Sequence, residues 1–174
     1  MDFYQHKNLI ESLIFTSYQP ITVKQLMSIT DINENAIVSI INELKSEYST
    51  RGINIVEICG GYQFATNQEF APWIKKARKD IQSSRMSQSA LETLAIIAYN
   101  QPLTRIEIDQ IRGVNSEGTV KSLIERRMVR IVGKKEVPGR PFLYGTTDDF
   151  LRYFGLKSLQ DLPPLKDILQ EEAA

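Results

Sequence analysis

The chain has 174 residues, and its 21 basic and 21 acidic side chains give a formal net charge of zero, which argues against a histone-like binder of polyanions. The single cysteine, Cys59, excludes an internal disulfide and a metal site built from several cysteines. No run of about 18 apolar residues and no amino-terminal export pattern is present. We therefore expect a soluble cytoplasmic chain without a membrane span.

The first 67 residues begin with three helical patterns. Apolar residues recur at helical spacing from Lys7 to Tyr18, and Pro20 ends this helix because proline lacks a backbone N–H. Thr22-Val-Lys-Gln25 has the form of a capping box, in which two side chains satisfy backbone N–H groups at a helix start, so a second helix is predicted there. Asn33 is suited to cap a third helix.

A β-hairpin is predicted after these helices. The β-prone runs 53–59 and 62–66 flank Gly60 and Gly61, and glycine readily adopts the positive φ that a two-residue hairpin turn requires. Cys59 is then expected in an apolar strand, where a thiol acts as a small, inert hydrophobic side chain.

The next segment predicts a polar connecting helix. Residues 68–87 carry apolar side chains at helical spacing, interrupted by lysines and arginines. Residues 68–86 carry 5 basic and 2 acidic side chains, whereas residues 1–67 carry 4 and 7. The connection is therefore more basic than the part that precedes it.

The stretch from Leu91 to Gly113 predicts a helix, a sharp break and a second helix. Pro102 ends the first of these helices, and Gly113 closes the second. Two capping boxes are predicted, Ser89-Ala-Leu-Glu92 and Thr104-Arg-Ile-Glu107. The first helix has the apolar spacing of a buried helical face, at Leu91, Leu94, Ala95 and Ala98.

The second half continues in the same order as the first. A third helix over 116–128, a strand over 129–132, a loop over 133–140 and a returning strand over 142–146 are predicted. Thr147 to Gly155 predicts a short capped helix that ends at glycine. The last ten residues are expected to form an acidic tail or one weak helix.

The two halves are internal repeats of one another. Residues of the first copy match residues of the second at an offset of 81, and at an offset of 82 after one inserted residue, for example Pro20 with Pro102 and Thr22 with Thr104. Three helices followed by a hairpin is the element order of a winged helix-turn-helix. We therefore predict a helix-rich α+β chain with a winged-helix domain over 1–67, a linker helix over 68–87, a second winged-helix domain over 88–147, and a short helix with an acidic tail over 148–174.

Catalytic, metal-binding and cofactor-binding patterns are absent from the sequence. The only histidine, His6, has no cysteine partner nearby in sequence, and Asp148-Asp149 suits the first turn of a helix better than a metal site. No glycine-rich phosphate loop follows a strand. We expect neither an enzyme nor a bound cofactor.

DNA binding remains an alternative, because a helix-turn-helix presents its third helix to the major groove. The third helix and wing of the second copy carry seven cations: Lys121, Arg126, Arg127, Arg130, Lys134, Lys135 and Arg140. Glu117, Glu125 and Glu136 oppose them. The third helix of the first copy has three glutamates, Glu34, Glu43 and Glu47, against Lys45, and phosphate would be repelled there. A DNA-binding regulator that uses the basic second wing is therefore the alternative interpretation.

Four segments of the second half carry a resemblance to a known family. They are Leu91 to Arg105, Ile111-Arg-Gly-Val-Asn115, Gly139-Arg-Pro141 with Leu143-Tyr-Gly-Thr-Thr147, and Phe150-Leu-Arg-Tyr-Phe-Gly-Leu156 leading to Leu162-Pro-Pro164. Together they resemble segregation and condensation protein B, the winged-helix accessory subunit of the bacterial condensin-like complex. Residues 1–86 agree with this family in length and element order.

The resemblance implies a cytoplasmic, nucleoid-associated homodimer. Its partner would be the kleisin, segregation and condensation protein A, which bridges the heads of the Smc ATPase, so the chain would take part in chromosome condensation and segregation. Contact with DNA would be weak or indirect. In this family the winged helices serve protein contacts, in agreement with the neutral charge of the chain.

Two sets of residues are predicted to carry these contacts. The dimer contact is expected on the first domain, at Phe3, Tyr4, Ile14, Phe15, Tyr62 and Phe64. The kleisin contact is expected on the second domain and its trailing helix, with an aromatic floor of Tyr99, Phe142, Tyr144, Phe150 and Phe154 and a rim of Arg105, Arg112 and Arg140. Each aromatic of this floor has a place in the domain core as its alternative, and the arginines are expected to be accessible.

Overall fold

The chain divides into two units, residues 1–82 and 83–174, in a computed structural model that describes residues 2–77 and 86–164. Both units mix helices with a small antiparallel sheet. In each of them three helices precede a β-hairpin, which is the order that the repeat predicts.

The first unit is built around a core of isoleucine and leucine side chains. Its elements are α1 (Phe3–Thr16), α2 (Val23–Thr30), α3 (Glu34–Tyr48), β1 (Ile53–Ile58) and β2 (Gly61–Thr66). The predicted capping box of Thr22 and Gln25 and the predicted cap of Asn33 are both confirmed. The first helix starts earlier than predicted, because Asp2 forms a capping box with Gln5.

The hairpin turn differs from the prediction by one residue. Cys59 and Gly60 form the turn with φ values of 53° and 68°, whereas Gly61 belongs to β2 and pairs with Ile58. Gly61 is required in the strand because a Cβ at this position would lie 2.7 Å from the carbonyl oxygen of Pro20. The prediction that Cys59 lies within the strand is therefore wrong.

This close approach makes Gly61 sensitive to substitution. Gly61→Ala is expected to destabilise the protein by about 2 kcal/mol, because the backbone of Pro20 has to move to admit the methyl group. Gly133→Ala is the matched control: Gly133 also lies in a strand, it has no positive φ, and a Cβ added to it would meet no atom within 4 Å. Chemical denaturation of both variants measures the difference. Equal stabilities would contradict the steric role of Gly61.

The connection between the units begins as predicted. A single 3₁₀ turn, Gln68–Phe70, leads into α4 (Ala71–Ala77). Residues 78–85 of the predicted linker helix lie outside the described residues. The helix does not reach residue 87, because Ser87 is extended and caps the next helix by accepting a hydrogen bond from the backbone N–H of Ala90. The predicted capping box of Ser89 and Glu92 is therefore wrong, and the helix starts two residues earlier.

The second unit repeats the order of the first and adds a short strand, a short helix and a 3₁₀ turn, Leu159–Asp161. It contains α5 (Gln88–Asn100), β3 (Leu103–Thr104), α6 (Arg105–Arg112), α7 (Glu117–Glu125), β4 (Val129–Lys134), β5 (Phe142–Thr146) and α8 (Asp148–Phe154). The three strands are antiparallel in the order β3-β5-β4. The short strand β3 was not predicted, since two residues are too few to give a strand pattern.

The predicted helix ends of the second unit are largely confirmed. Thr104 and Glu107 form the predicted capping box, Gly113 closes α6 in the left-handed conformation, and Gly155 closes α8 in the same way. The third helix ends at Glu125 and not at residue 128, because Arg127 has a φ of 60° and turns the chain into β4.

Candidate partner-binding groove

An apolar groove runs along the outside of the second unit. It has a volume of about 360 Å³ and lies between α5, α8 and the segment that follows α8. Its lining is almost entirely apolar: Leu91, Leu94, Ala95, Ala98, Tyr99, Phe150, Phe154, Leu156, Leu162 and Pro163. Grooves of this kind accept the apolar face of a partner helix or extended segment.

Helix α5 forms one side of the groove with small and large side chains. Leu94 and Ala98 are 1% and 6% exposed and belong to the core of the unit, whereas Leu91 is 38% exposed and Ala95 is also accessible. Ala95 and Ala98 have small side chains, so the larger lining residues around them form the sides of the groove. The same helical face therefore serves the core at one edge and the groove at the other.

Helix α8 forms the second side with two aromatic rings. Phe150 is 3% exposed and packs into the core, and the centre of the Phe154 ring lies 5.0 Å from that of Phe150. Phe154 remains 44% exposed at the groove. Thr147 fixes the start of this helix by accepting a hydrogen bond from the backbone N–H of Phe150.

The chain after α8 closes the groove from a third side. Leu156 and Leu162 pack against the core of the unit, and the hydroxyl of Tyr99 donates a 2.6 Å hydrogen bond to the carbonyl oxygen of Pro163. Asp161 accepts hydrogen bonds from the backbone N–H groups of Lys157 and Ser158 at 2.9 and 3.0 Å. The bond from Tyr99 joins this segment to α5, and the Asp161 bonds stabilise the 3₁₀ turn Leu159–Asp161 within it.

The structure separates the residues predicted for the kleisin contact. Tyr99, Phe150 and Phe154 meet in the groove. Phe142 is 46% exposed on β5 away from the groove, and Tyr144 packs against the core of the unit. Phe150 serves both purposes that the sequence left open, since it is a core residue and also lines the groove.

The three predicted rim arginines lie outside the groove lining and are all engaged in ion pairs. Arg105 lies 3.3 Å from Asp109 and 3.7 Å from Glu117, and Arg140 lies 2.7 Å from Glu136 and is well exposed. The expectation that all three are accessible is wrong for Arg112, whose side chain is 8% exposed and lies 3.2 Å from Glu92. Pairing across α5 and α6 buries this guanidinium.

Several lining residues are not evident from the sequence. The spacing of Leu91, Leu94, Ala95 and Ala98 predicts a buried face alone, although two of these side chains, Leu91 and Ala95, are exposed at the groove. Leu162 and Pro163 gave no periodic signal, because they lie in an irregular segment. Their role depends on the chain folding back onto α5, which no local pattern predicts.

Two carboxylates on α6 bind to other parts of the second unit. Asp109 accepts hydrogen bonds from the hydroxyl of Ser116 and, at 2.7 Å, from its backbone N–H, and these bonds hold the pKa of Asp109 below its usual value. Glu107 lies 2.5 Å from Lys135 of the hairpin loop, and this contact and the cap at Thr104 lower its pKa from 4.5 to about 2. Helix α6 is thus tied to both α7 and the hairpin.

The predicted dimer residues of the first unit fall into two groups. Phe3, Tyr4 and Phe15 are 51%, 67% and 70% exposed. Ile14 is 1% exposed within the core, so it is not available on the surface. Tyr62 and Phe64 are partly buried against the same core, and the ring centres of Phe15 and Phe64 are 6.1 Å apart.

Metal sites and membrane spans are two further kinds of feature to consider in the described residues. Within residues 2–77 and 86–164, no group of three or more His, Cys, Asp or Glu side chains is arranged to hold a metal ion. In the same part of the chain, no helix has both the length and the apolar character needed to cross a membrane.

Comparison with known proteins gives one consistent family. Residues 8–165 match the model of the family described as "Segregation and condensation complex subunit ScpB". The chain is 47% identical to "Segregation and condensation protein B" of Syntrophotalea carbinolica over 172 residues, which covers 98% of this chain and 87% of that protein.

Solved structures of similar proteins include the crystal structure of ScpB from Mycobacterium tuberculosis. It shares 28% identity, covers 90% of this chain and 98% of that chain, and has a TM-score of 0.44. A crystal structure of a dimer of an ScpB N-terminal domain complexed with an ScpA peptide shares 28% identity, covers 43% of this chain and 96% of that chain, and has a TM-score of 0.41.

Proposed function

The chain belongs to the family of the segregation and condensation complex subunit ScpB, and from this premise we propose that it is a non-catalytic scaffold subunit that binds the kleisin of a bacterial Smc complex. In this role it takes part in chromosome condensation and segregation, in the cytoplasm and at the nucleoid. Each unit acts as one winged-helix domain, over 1–67 and 88–147, with residues 68–87 as the linker.

The observation that carries this proposal is the apolar groove of the second unit. Its lining contains no charged side chain, and Leu91 and Phe154 stay partly exposed at its edges. Exposed apolar side chains around a groove are typical of surfaces that bind another protein. Membership of this family implies the kleisin as the partner, and an apolar face of a kleisin helix or strand fits such a groove.

The charges of the second unit favour a protein partner over DNA. The outer face of α7 carries Lys121 between Glu117 and Glu125, so the helix that would enter a DNA groove has no positive excess there. In the basic wing, Lys135 and Arg140 already pair with glutamates. A salt titration of DNA affinity tests this view, because a DNA-binding regulator has to bind at physiological salt with a steep salt dependence.

Co-purification of the full chain with its kleisin, followed by native mass measurement, tests the proposed function. A stable complex containing both proteins is the expected result. A chain that elutes alone at every salt concentration, while the kleisin is folded and present, would overturn the proposal.

The first unit is proposed as the contact between two copies of the chain. Phe15→Asp is expected to weaken self-association at least about ten-fold, because the exposed ring is an apolar anchor and a carboxylate in its place has to be desolvated on association. Sedimentation velocity over a concentration series measures the change. Ser46→Asp, at an exposed position of α3, introduces the same charge as a control. Equal self-association of the two variants would place the dimer contact elsewhere.

A further inference from the structure

Helix α4 and the turn before it carry an aromatic pair that lies outside the core of the first unit. Trp73 is 65% exposed and Phe70 is 44% exposed, and their ring centres lie 6.4 Å apart in an edge-to-face arrangement. A Cβ on Gly52 would lie 3.8 Å from the ring of Phe70, so this ring rests on the chain just before β1. The following residue, Ile53, is 39% exposed.

Two lysines lie beside this pair. Lys75 and Lys76 are exposed in the last turn of α4, and within residues 2–77 and 86–164 neither forms an ion pair. We call Phe70, Trp73, Lys75 and Lys76 the α4 patch. Tryptophan is among the side chains that most often anchor a protein interface, so its exposure beside two exposed lysines indicates a binding surface.

The rest of the first unit has the opposite charge. Residues 1–67 carry 4 basic and 7 acidic side chains. Of the basic ones, Lys7 is buried between Glu43 and Glu47, and Lys45 lies 3.6 Å from Glu57. The two lysines therefore attract an anionic ligand, whereas the net negative charge of residues 1–67 opposes a large polyanion.

This charge pattern also limits the size of the ligand. A DNA duplex carries a phosphate charge about every 1.7 Å of its axis, which is far more charge than Lys75 and Lys76 can neutralise. A short protein segment can place its carboxylates at the two lysines and its apolar side chains on the rings of Phe70 and Trp73. A peptide therefore fits the charges of this unit better than nucleic acid does.

We propose that the α4 patch is a docking surface for a short acidic segment of a partner protein, one that carries large apolar side chains between its carboxylates. The rings of Phe70 and Trp73 contact the apolar side chains of the segment, and Lys75 and Lys76 pair with its carboxylates. This surface belongs to the first unit and the groove to the second, and its existence does not depend on the proposed binding of the kleisin at the groove.

The fluorescence of Trp73 reports on the α4 patch directly, because this is the only tryptophan in the chain. The probe is a synthetic peptide of about twelve residues in which glutamates alternate with leucine and phenylalanine, a length that spans about 40 Å when extended. Adding this peptide to the full chain is expected to give a saturable shift of the Trp73 emission to shorter wavelength, with half-saturation below about 1 mM peptide. The same peptide with lysine for glutamate, the acidic peptide with serine for its apolar residues, and a short DNA duplex are expected to give none.

Charge reversal supplies the second part of the test. The double variant Lys75→Glu, Lys76→Glu is expected to bind the acidic peptide at least about ten-fold more weakly than the parent. Lys24 is an exposed lysine on α2, and Lys24→Glu is expected to leave the affinity for this peptide unchanged. Trp73→Ala is expected to lower the affinity for the acidic peptide to a similar extent, and a fluorescent label on the peptide measures it because this variant has no tryptophan.

Four results would overturn the proposal: no saturable shift with the acidic probe, an equal shift with the lysine peptide or with DNA, equal affinities for the charge-reversed variant and the Lys24 control, or a buried-indole emission in the free chain. The last result would mean that another part of the chain already covers Trp73. Binding of the kleisin at the groove is measured separately, so each of the two proposals can fail without the other.

Discussion

Ala95→Glu is expected to lower the affinity of the chain for the kleisin roughly 100-fold, or about 2.7 kcal/mol. Ala95 is accessible on α5 and lines the groove, where every lining side chain except Tyr99 is apolar. A partner segment that fills the groove would bury the new carboxylate without a counter-charge, which is costly in an apolar environment. Because Ala95 is exposed in the free chain, the fold itself tolerates the change. Calorimetry with the purified kleisin measures the affinity.

Gln88→Glu is the matched control for this experiment. It introduces the same charge on the same helix, at an exposed position in the first turn and outside the groove. A carboxylate near a helix start is also favoured by the helix dipole, so stability should not fall. If Ala95→Glu binds the kleisin as tightly as Gln88→Glu does, the kleisin contact does not use the groove. Loss of binding in both variants would point to a general effect of negative charge.

The element order could be predicted because both halves repeat strong local signals. Thr22 with Gln25 and Thr104 with Glu107 form their capping boxes in the structure, at matching places in the two units. These motifs act through hydrogen bonds within four residues, so tertiary context has little opportunity to change them. Gly113 and Gly155 likewise end their helices in the left-handed conformation that glycine adopts without strain.

The errors occur where tertiary contacts override the local pattern. Two glycines in a row predict a Gly-Gly turn, but the approach of Pro20 fixes Gly61 in the strand and leaves Cys59 in the turn. Ser89 is a plausible cap by its spacing to Glu92, yet Ser87 takes this role. The position of the turn depends on Pro20, which is distant from Gly61 in sequence. Ser87 and Ser89 are both local candidates for the cap, and the spacing to Glu92 favours the one that the structure does not use.

The groove could be predicted only in part for the same reason. Aromatic character pointed to Tyr99, Phe150 and Phe154, which do meet there. It pointed equally to Phe142 and Tyr144, which the sheet places elsewhere. The third side of the groove depends on the segment around Leu162, whose position is set by the hydrogen bond of Tyr99 to Pro163. A contact across 64 residues leaves no periodic trace in the sequence.

Asp109→Ala is expected to destabilise the second unit by about 3 kcal/mol, because it removes the acceptor of two hydrogen bonds at once. Ser116 is fully buried, and Asp109 accepts from both its hydroxyl and its backbone N–H. Without Asp109 these two donors stay buried and unpaired at the start of α7, whose cap has no side-chain hydrogen bond of its own. Asp109→Asn keeps an acceptor oxygen of the same reach and should lose only about 1 kcal/mol. Hydrogen exchange at the amide of Ser116, with chemical denaturation of both variants, measures the effect.

The acid dependence of stability provides a second measurement on the same variant. The pKa of Asp109 is lowered in the folded chain, chiefly by the hydrogen bond from Ser116, so its ionised form stabilises the fold. This contribution is fully present above the ordinary carboxyl pKa and is lost as the pH falls through the lowered value. The difference in unfolding free energy between the parent and Asp109→Ala should therefore shrink as the solution is acidified. A difference that stays constant across this range would show that Asp109 acts through its packing and not through its charge.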